Sequence, residues 1–227
     1  MRKLLFPLFM LILLTVVPVL AQSTTLPTVH VRVAHFSPDA PAVDIYLNGA
    51  KSAIQGLSFP HVSEWLEIPA RSYQVAAVPT GSRSAAIGPV TLDLAADAWL
   101  TIAAVGSADK GTLKATVVSE DYSPITEGHA RVTVYHAIEG APPVDVLADD
   151  AQVVNLLAFP GKLGGNDGAA TVDVTAGLHS VQVVPSGESF RTLLDLPSTI
   201  FVTNNNYLVA AVGTPDSPQL VIVPTKS

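Results

Sequence analysis

From residue 28 onward the chain alternates apolar and polar residues with a period of two. VHVRVAHF sets Val29, Val31, Val33 and His35 on one face, and VDIYLN sets Val43, Ile45 and Leu47 opposite Asp44, Tyr46 and Asn48. Further runs of strand character fall at 63–68, 73–78, 90–94, 100–105 and 113–118, with Gly, Pro, Asn or Asp in most of the gaps. A period of two is the signature of a strand with one face buried. About seven strands in ~90 residues, with no long 3.6-period segment, predict an all-β antiparallel sandwich, immunoglobulin-like or transthyretin-like. The Ala-rich stretch LDLAADAWL has room for one helical turn, too short to change the class.

The pattern is written twice. HFSPDAPAVDI (35–45) and HAIEGAPPVDV (136–146) agree at five of eleven positions, QVAAVPTG (74–81) and SVQVVPSG (180–187) at four of eight, and LTIAAVG (100–106) and YLVAAVG (207–213) at four of seven. Phe59-Pro60 returns as Phe159-Pro160. Matching blocks in the same order imply duplication. The expected layout is a leader at 1–21, a first sandwich at 29–118, a polar linker at 119–128 and a second sandwich at 129–224. Each copy is expected to fold by itself.

The first 21 residues set two basic residues, Arg2 and Lys3, before an apolar run that ends in small residues at Val19 and Ala21. This is the pattern of a secretory signal peptide, cleaved after Ala21 to leave Gln22 first. No later apolar run reaches the ~20 residues of a spanning helix, so no membrane insertion is expected once the leader is gone. The chain has no cysteine, so burial rather than disulfides must stabilise it, and 48% hydrophobic residues provide the means. The net charge of −7 falls to −9 when Arg2 and Lys3 leave with the leader. An acidic surface disfavours nucleic acid and anionic lipid as partners.

Two polar pairs stand out, His35 with Asp44 and His136 with Asp145. A His–Asp dyad would need both side chains on one face. Parity puts each His with the inward valines and each Asp opposite its inward neighbours. The pairs, with Asp39 in the SPDAP turn, therefore read as structure: prolines fix φ, Asp39 bonds its own backbone, Asp44 accepts N–H groups near the turn, and His35 ends a core strand half-buried. No nucleophile motif is present, Ser186 and Glu188 lie in a turn, and His30, His61 and His129 read as surface positions without metal spacing. GKLGGNDGA (161–169) lacks the Lys-Ser/Thr of a phosphate loop and the stacked neighbours of a calcium repeat, and Asp149-Asp150 alone falls short of a calcium shell. No cofactor or metal is expected. The ligand-binding candidates are Trp65, read as opposite an apolar face of Val62, Leu66 and Ile68, and Tyr46 on the outward face of its strand.

VRVAHFSPDAPAVDIYLNG, followed by Phe-Pro and IPARSYQVAAVPTG, resembles the bacterial domain-of-unknown-function family numbered 4397. The resemblance implies an exported β-sandwich, often in tandem, and supplies no activity. The second copy departs at AIEGAPPVD, without Ser-Pro-Asp, and the first has Arg71 where Gly177 stands in the second. The expected function is a non-catalytic binding or adhesion module outside the cytoplasm, at the cell surface, secreted or periplasmic, for a glycan or protein ligand. A secreted hydrolase of glycans or esters and a structural spacer are the alternatives.

Overall fold

The structure, a computed structural model, describes residues 26–162, 167–188 and 191–226. The leader and its cleavage site lie outside the described residues, as do residues 163–166 of the glycine-rich loop.

Among the described residues there is no helix, and sixteen strands form four sheets. The first unit holds β1 (Thr28–His35), β2 (Val43–Leu47), β3 (Ala50–Lys51), β4 (Leu66–Pro69), β5 (Ser72–Pro79), β6 (Ile87–Asp93), β7 (Trp99–Val105) and β8 (Lys114–Glu120). The second holds β9 (His129–His136), β10 (Val144–Ala148), β11 (Ala151–Leu157), β12 (Ala169–Thr175), β13 (Gly177–Pro185), β14 (Leu194–Phe201), β15 (Asn205–Thr214) and β16 (Ser217–Lys226). Sheet orders are β4-β1-β7-β8 with β3-β2-β5-β6, and β12-β9-β15-β16 with β11-β10-β13-β14. Adding eight to each strand number turns the first unit into the second. β8 runs through Glu120, so the connection is 121–128, two residues shorter than the polar stretch suggests.

The sandwich is antiparallel except at one pair per unit: β1 runs parallel to β7, and β9 to β15. The period-two pattern fixes each strand but not its direction. Here the chain leaves β1, builds the other sheet, and returns beside β1 from the same end, which forces a parallel neighbour. LDLAADAWL forms a turn rather than a helix, with Asp97 at φ 60°. The β2–β3 and β10–β11 hairpins turn through Asn48-Gly49 and Asp149-Asp150, all four at positive φ, as two-residue hairpins require. Asp149 is thus a turn residue whose carboxylate accepts the Ser180 N–H at 2.9 Å and meets His179 Nδ1 at 2.6 Å. Gly106 and Gly213, which end the repeated AAVG block, hold positive φ where a Cβ would strike the Thr112 or Ser217 carbonyl oxygen. The facing hairpin strand therefore dictates glycine at both.

Each unit has its own core. Val29, Val31 and Val33 meet Val43, Ile45, Tyr73, Val75 and Ile102 in the first, and Val132, Val134, Val144, Val146, Val181, Val183 and Val209 meet in the second. A third core lies between the units. The outward faces of β4-β1-β7-β8 and β12-β9-β15-β16, called here the seam sheets, pack on each other through Ala34, Phe36, Ala103, Val105 and Val118 on one side and Tyr135, Leu208, Ala210 and Val212 on the other. Phe159 is buried there and Phe59 packs against it, which accounts for the recurring Phe-Pro. Thr116 Oγ1 meets the Tyr135 hydroxyl at 2.6 Å, and Lys114 donates to the Pro160 carbonyl at 2.9 Å across the same seam.

The seam couples the stability of the two units. Both tryptophans, Trp65 and Trp99, lie in the first, so indole fluorescence reports on that unit. Leu208 is fully buried in the second, on the seam. Leu208→Ala is expected to cost about 2–5 kcal/mol and to lower the fluorescence and far-ultraviolet dichroism midpoints together. A fluorescence midpoint left at its wild-type value would show that the units unfold separately.

Candidate functional site

The repeated Val-Asp and Val-Pro-(Thr/Ser)-Gly blocks touch. Asp44 on β2 accepts the Gly56 N–H at 2.8 Å and the Thr80 hydroxyl at 3.2 Å, and pairs with Lys51 at 2.7 Å. Asp145 on β10 accepts the Leu156 N–H at 2.8 Å, the Ser186 hydroxyl at 2.5 Å and the Gly187 N–H at 3.3 Å. In each unit one carboxylate ties the chain after the β2 or β10 hairpin to the turn after β5 or β13. Gly56 and Leu156 occupy the same place, at φ 62° and 55°. The Lys51 ammonium and the Gly56 N–H hold the Asp44 carboxyl below the usual carboxylate range. Burial works to raise Asp145, but its three donors outweigh it and hold the group low as well.

His35 and Asp44 are not brought together. His35 lies on the core face of β1 and is fully buried, with Nε2 3.0 Å from the Pro41 carbonyl oxygen. Asp44 lies on the outer face of the other sheet. His136 repeats the arrangement, with Nε2 3.1 Å from the Pro142 carbonyl oxygen, and burial pushes its imidazole pKa down. Asp39 reaches beyond its own turn to the β7–β8 loop. It accepts the Ser107 hydroxyl at 2.5 Å and the Ala108 and Asp109 N–H groups at 3.0 and 3.1 Å, with Ser37 at 3.0 Å. Burial opposes ionisation there, but these donors hold the carboxyl far below its ordinary value.

Trp65 is half-buried at the polar end of the seam. Between Val31↔Leu66 and Ala34↔Val62 the β4 side carries one extra residue, a bulge whose Ser63 hydroxyl accepts the Val33 N–H at 2.9 Å. Val62 therefore packs at the seam while Leu66 and Ile68 pack in the sandwich core, so the three do not share a face as the plain alternation suggested. Trp65 stands edge-on to Trp99 (4.9 Å) and Tyr122 (5.9 Å). His30 and Tyr122 stack on Trp99 at 3.7 and 4.0 Å. His30 is therefore half-buried in this cluster, not at the open surface. The Arg32 guanidinium lies 4.3 Å from the Trp65 ring centre and is itself buried, bound to both Glu120 carboxylate oxygens at 2.8 and 2.9 Å. Arg32 also reaches Thr101 at 2.8 Å and, across the seam, Thr225 at 3.2 Å. Burial pushes the Tyr122 phenol up to about 12.

Tyr46 stands in a different setting. It lies half-buried on the outer face of β3-β2-β5-β6, away from the seam, and lines an open groove with Gly49, Gln74, Ala76, Val78, Ser82, Arg83 and others. Its cross-strand partners are Ala76, too small to cover the ring, and Lys51, whose ammonium is drawn to Asp44. Gln74 and Arg83 are exposed. Sequence reading did not single them out, although Gln74 alternates with the inward Tyr73 and Val75. The second unit has Leu147 at the position of Tyr46 and Gln182 at that of Ala76, so the groove belongs to the first unit. No group of three or more metal-ligating side chains occurs among the described residues, nor any helix long and apolar enough to cross a membrane.

A family described as Domain of unknown function (DUF4397) matches residues 29–146, just over half of the chain. No curated protein matches. Among solved structures, a candidate cell adhesion protein from Bacteroides uniformis aligns at 11% identity over 90% of this chain and 99% of that one, with TM-score 0.30. The family-26 carbohydrate-binding module CBMbc of Eubacterium rectale Amy13K, in complex with maltoheptaose, aligns at 10% identity over 88% and 98%, with TM-score 0.25. Likenesses this slight say nothing about a ligand.

Two outcomes follow from the paired carboxylates. A carboxylate whose folded pKa lies below its unfolded value of ~3.9 contributes fully above that value, and its contribution fades as pH falls toward the folded one. Stability should therefore hold to about pH 5 and decline below ~4. Asp145→Ala should cost about 1–3 kcal/mol at pH 7 by stranding its donors, and should flatten the acid limb of denaturation midpoint against pH. Leu156, by contrast, carries a left-handed backbone cost of ~1–2 kcal/mol, of which glycine's extra unfolded-state entropy offsets ~0.4–1. Leu156→Gly should thus stabilise by roughly 0.5 kcal/mol, and Gly56→Leu should destabilise by a similar amount, both read from urea midpoints.

Proposed function

The chain belongs to the DUF4397 family, whose function is unknown, and from that premise we propose that it is a non-catalytic exported protein that binds an extracellular glycan or protein through the outer face of its first unit. The second unit is a further copy of the same domain, with its boundary in the connection at 121–128. The carrying observation is the open groove around Tyr46, the accessible aromatic surface on the side of the first unit away from the seam. A half-exposed ring offers a rigid contact at low entropy cost. The non-catalytic reading is supported by where the motif's polar groups go: the repeated His35, Asp44, His136 and Asp145, and Asp39 of the first copy, each bond within their own unit and face no common cleft. Trp65 serves the seam, because Trp99, Tyr122 and Arg32 crowd its ring.

A glycan array probed with the exported chain tests this reading. Tyr46→Ala should abolish the hits while changing stability by about 0.5 kcal/mol or less. Trp65→Ala should leave the hits in place and cost about 3 kcal/mol. Hits that survive Tyr46→Ala would place binding elsewhere, and hits lost with Trp65→Ala in a still-folded protein would return the site to the seam.

A further inference from the structure

Resting on the binding role just proposed, we infer that the Tyr46 groove takes a carboxylate-bearing glycan, with a sugar ring stacked on Tyr46 and its carboxylate held by Arg83. Charge carries the argument. The chain has 19 acidic residues against 12 basic ones, yet Arg83 lines this groove and no acid does. Among the described residues no ion pair or hydrogen bond involves Arg83. The Lys51 ammonium, on the strand beside Tyr46, is paired with Asp44 at 2.7 Å, so that neighbouring charge is neutralised. Arg83 is left as the unpaired cation of this groove among the described residues, and a guanidinium presents two parallel donors that match a carboxylate.

The surroundings fit a saccharide. Gly49, Ala76 and Ala85 are the small residues of the lining, so a flat ring can approach Tyr46. The exposed Gln74 amide offers donors and an acceptor to hydroxyls. The loop that carries Arg83 is braced locally: the Ser82 hydroxyl accepts the Ser84 N–H at 3.1 Å and donates to the Ser84 carbonyl oxygen at 3.3 Å. Bracing of this kind lowers the entropy cost of binding. A protein partner would need a large buried apolar centre, and beside the single aromatic Tyr46 the apolar lining is Val78, Pro89 and two alanines.

The test compares polygalacturonate with its carboxyl-reduced, neutral counterpart, titrated into the exported chain. Wild type should bind the acidic polymer at least about tenfold more tightly, the worth of one charge-assisted bidentate contact. Arg83→Gln should reduce that affinity to the level of the neutral polymer, and Tyr46→Ala should remove binding to both. Equal affinity for the two polymers, or an Arg83→Gln variant that binds as wild type does, would overturn the carboxylate assignment and leave the binding role standing. Arg83-dependent binding of peptides with a free C-terminal carboxylate, with none of the polyuronate, would overturn the glycan. An empty array and no titration heat with any of these probes would remove the binding role together with this inference.

Discussion

The central strands of two sheets, β1 and β7 in one and β9 and β15 in the other, have almost no face for water, and burying their outward sides against each other is the constraint that arranges everything else. It explains why β1 and β15 carry nearly unbroken buried runs instead of the alternation of a one-sided sheet. It explains alanine at 34, 103 and 210, where small side chains let the two sheets approach. It also requires any charge on these faces to be fully matched. Arg32 is, by Glu120, Thr101 and Thr225, because a lone buried guanidinium would cost several kcal/mol. The aromatic stack of His30, Trp99 and Tyr122, with Trp65 at its edge, closes the same end of the seam.

The duplicated motifs do their work inside each unit. An aspartate on the second strand captures one backbone N–H in left-handed geometry and one hydroxyl from the turn that follows the fifth strand. A histidine at the end of the first strand meets the carbonyl oxygen that starts the second. These contacts fix loops at one end of the sandwich, although the buried His35 Nδ1 is left without a hydrogen-bond partner. The units differ where the contacts are absent: Tyr46, Ala76 and Arg83 have no equivalents in the second unit, so the binding proposal falls on the first alone.

The chain's local patterns carried much of this. Alternation and turn residues are properties of neighbours in sequence, so the sandwich class, its strands and the paired Val-Asp blocks could be read directly. Tyr46 was found by parity, because β2 is regular. Parity is right to set Trp65 opposite Leu66 and Ile68 but not opposite Val62, and it says nothing about what covers that side. Its cover comes from Arg32, Trp99 and Tyr122, each more than thirty positions away. The Ser63 bulge, which sends Val62 to the seam, exists only because β1 is its partner.

By itself, then, the sequence determined the all-β class, the paired sequence blocks and the inward face of regular strands such as β1 and β2, since a period of two and a glycine or proline turn act over a few residues. Tertiary structure alone decided that β1 would lie parallel to β7, that a third core would join the units, and that Gln74 and Arg83 would share a groove with Tyr46. Those outcomes depend on contacts between residues tens of positions apart, and on which apolar faces are left uncovered once each sandwich has closed.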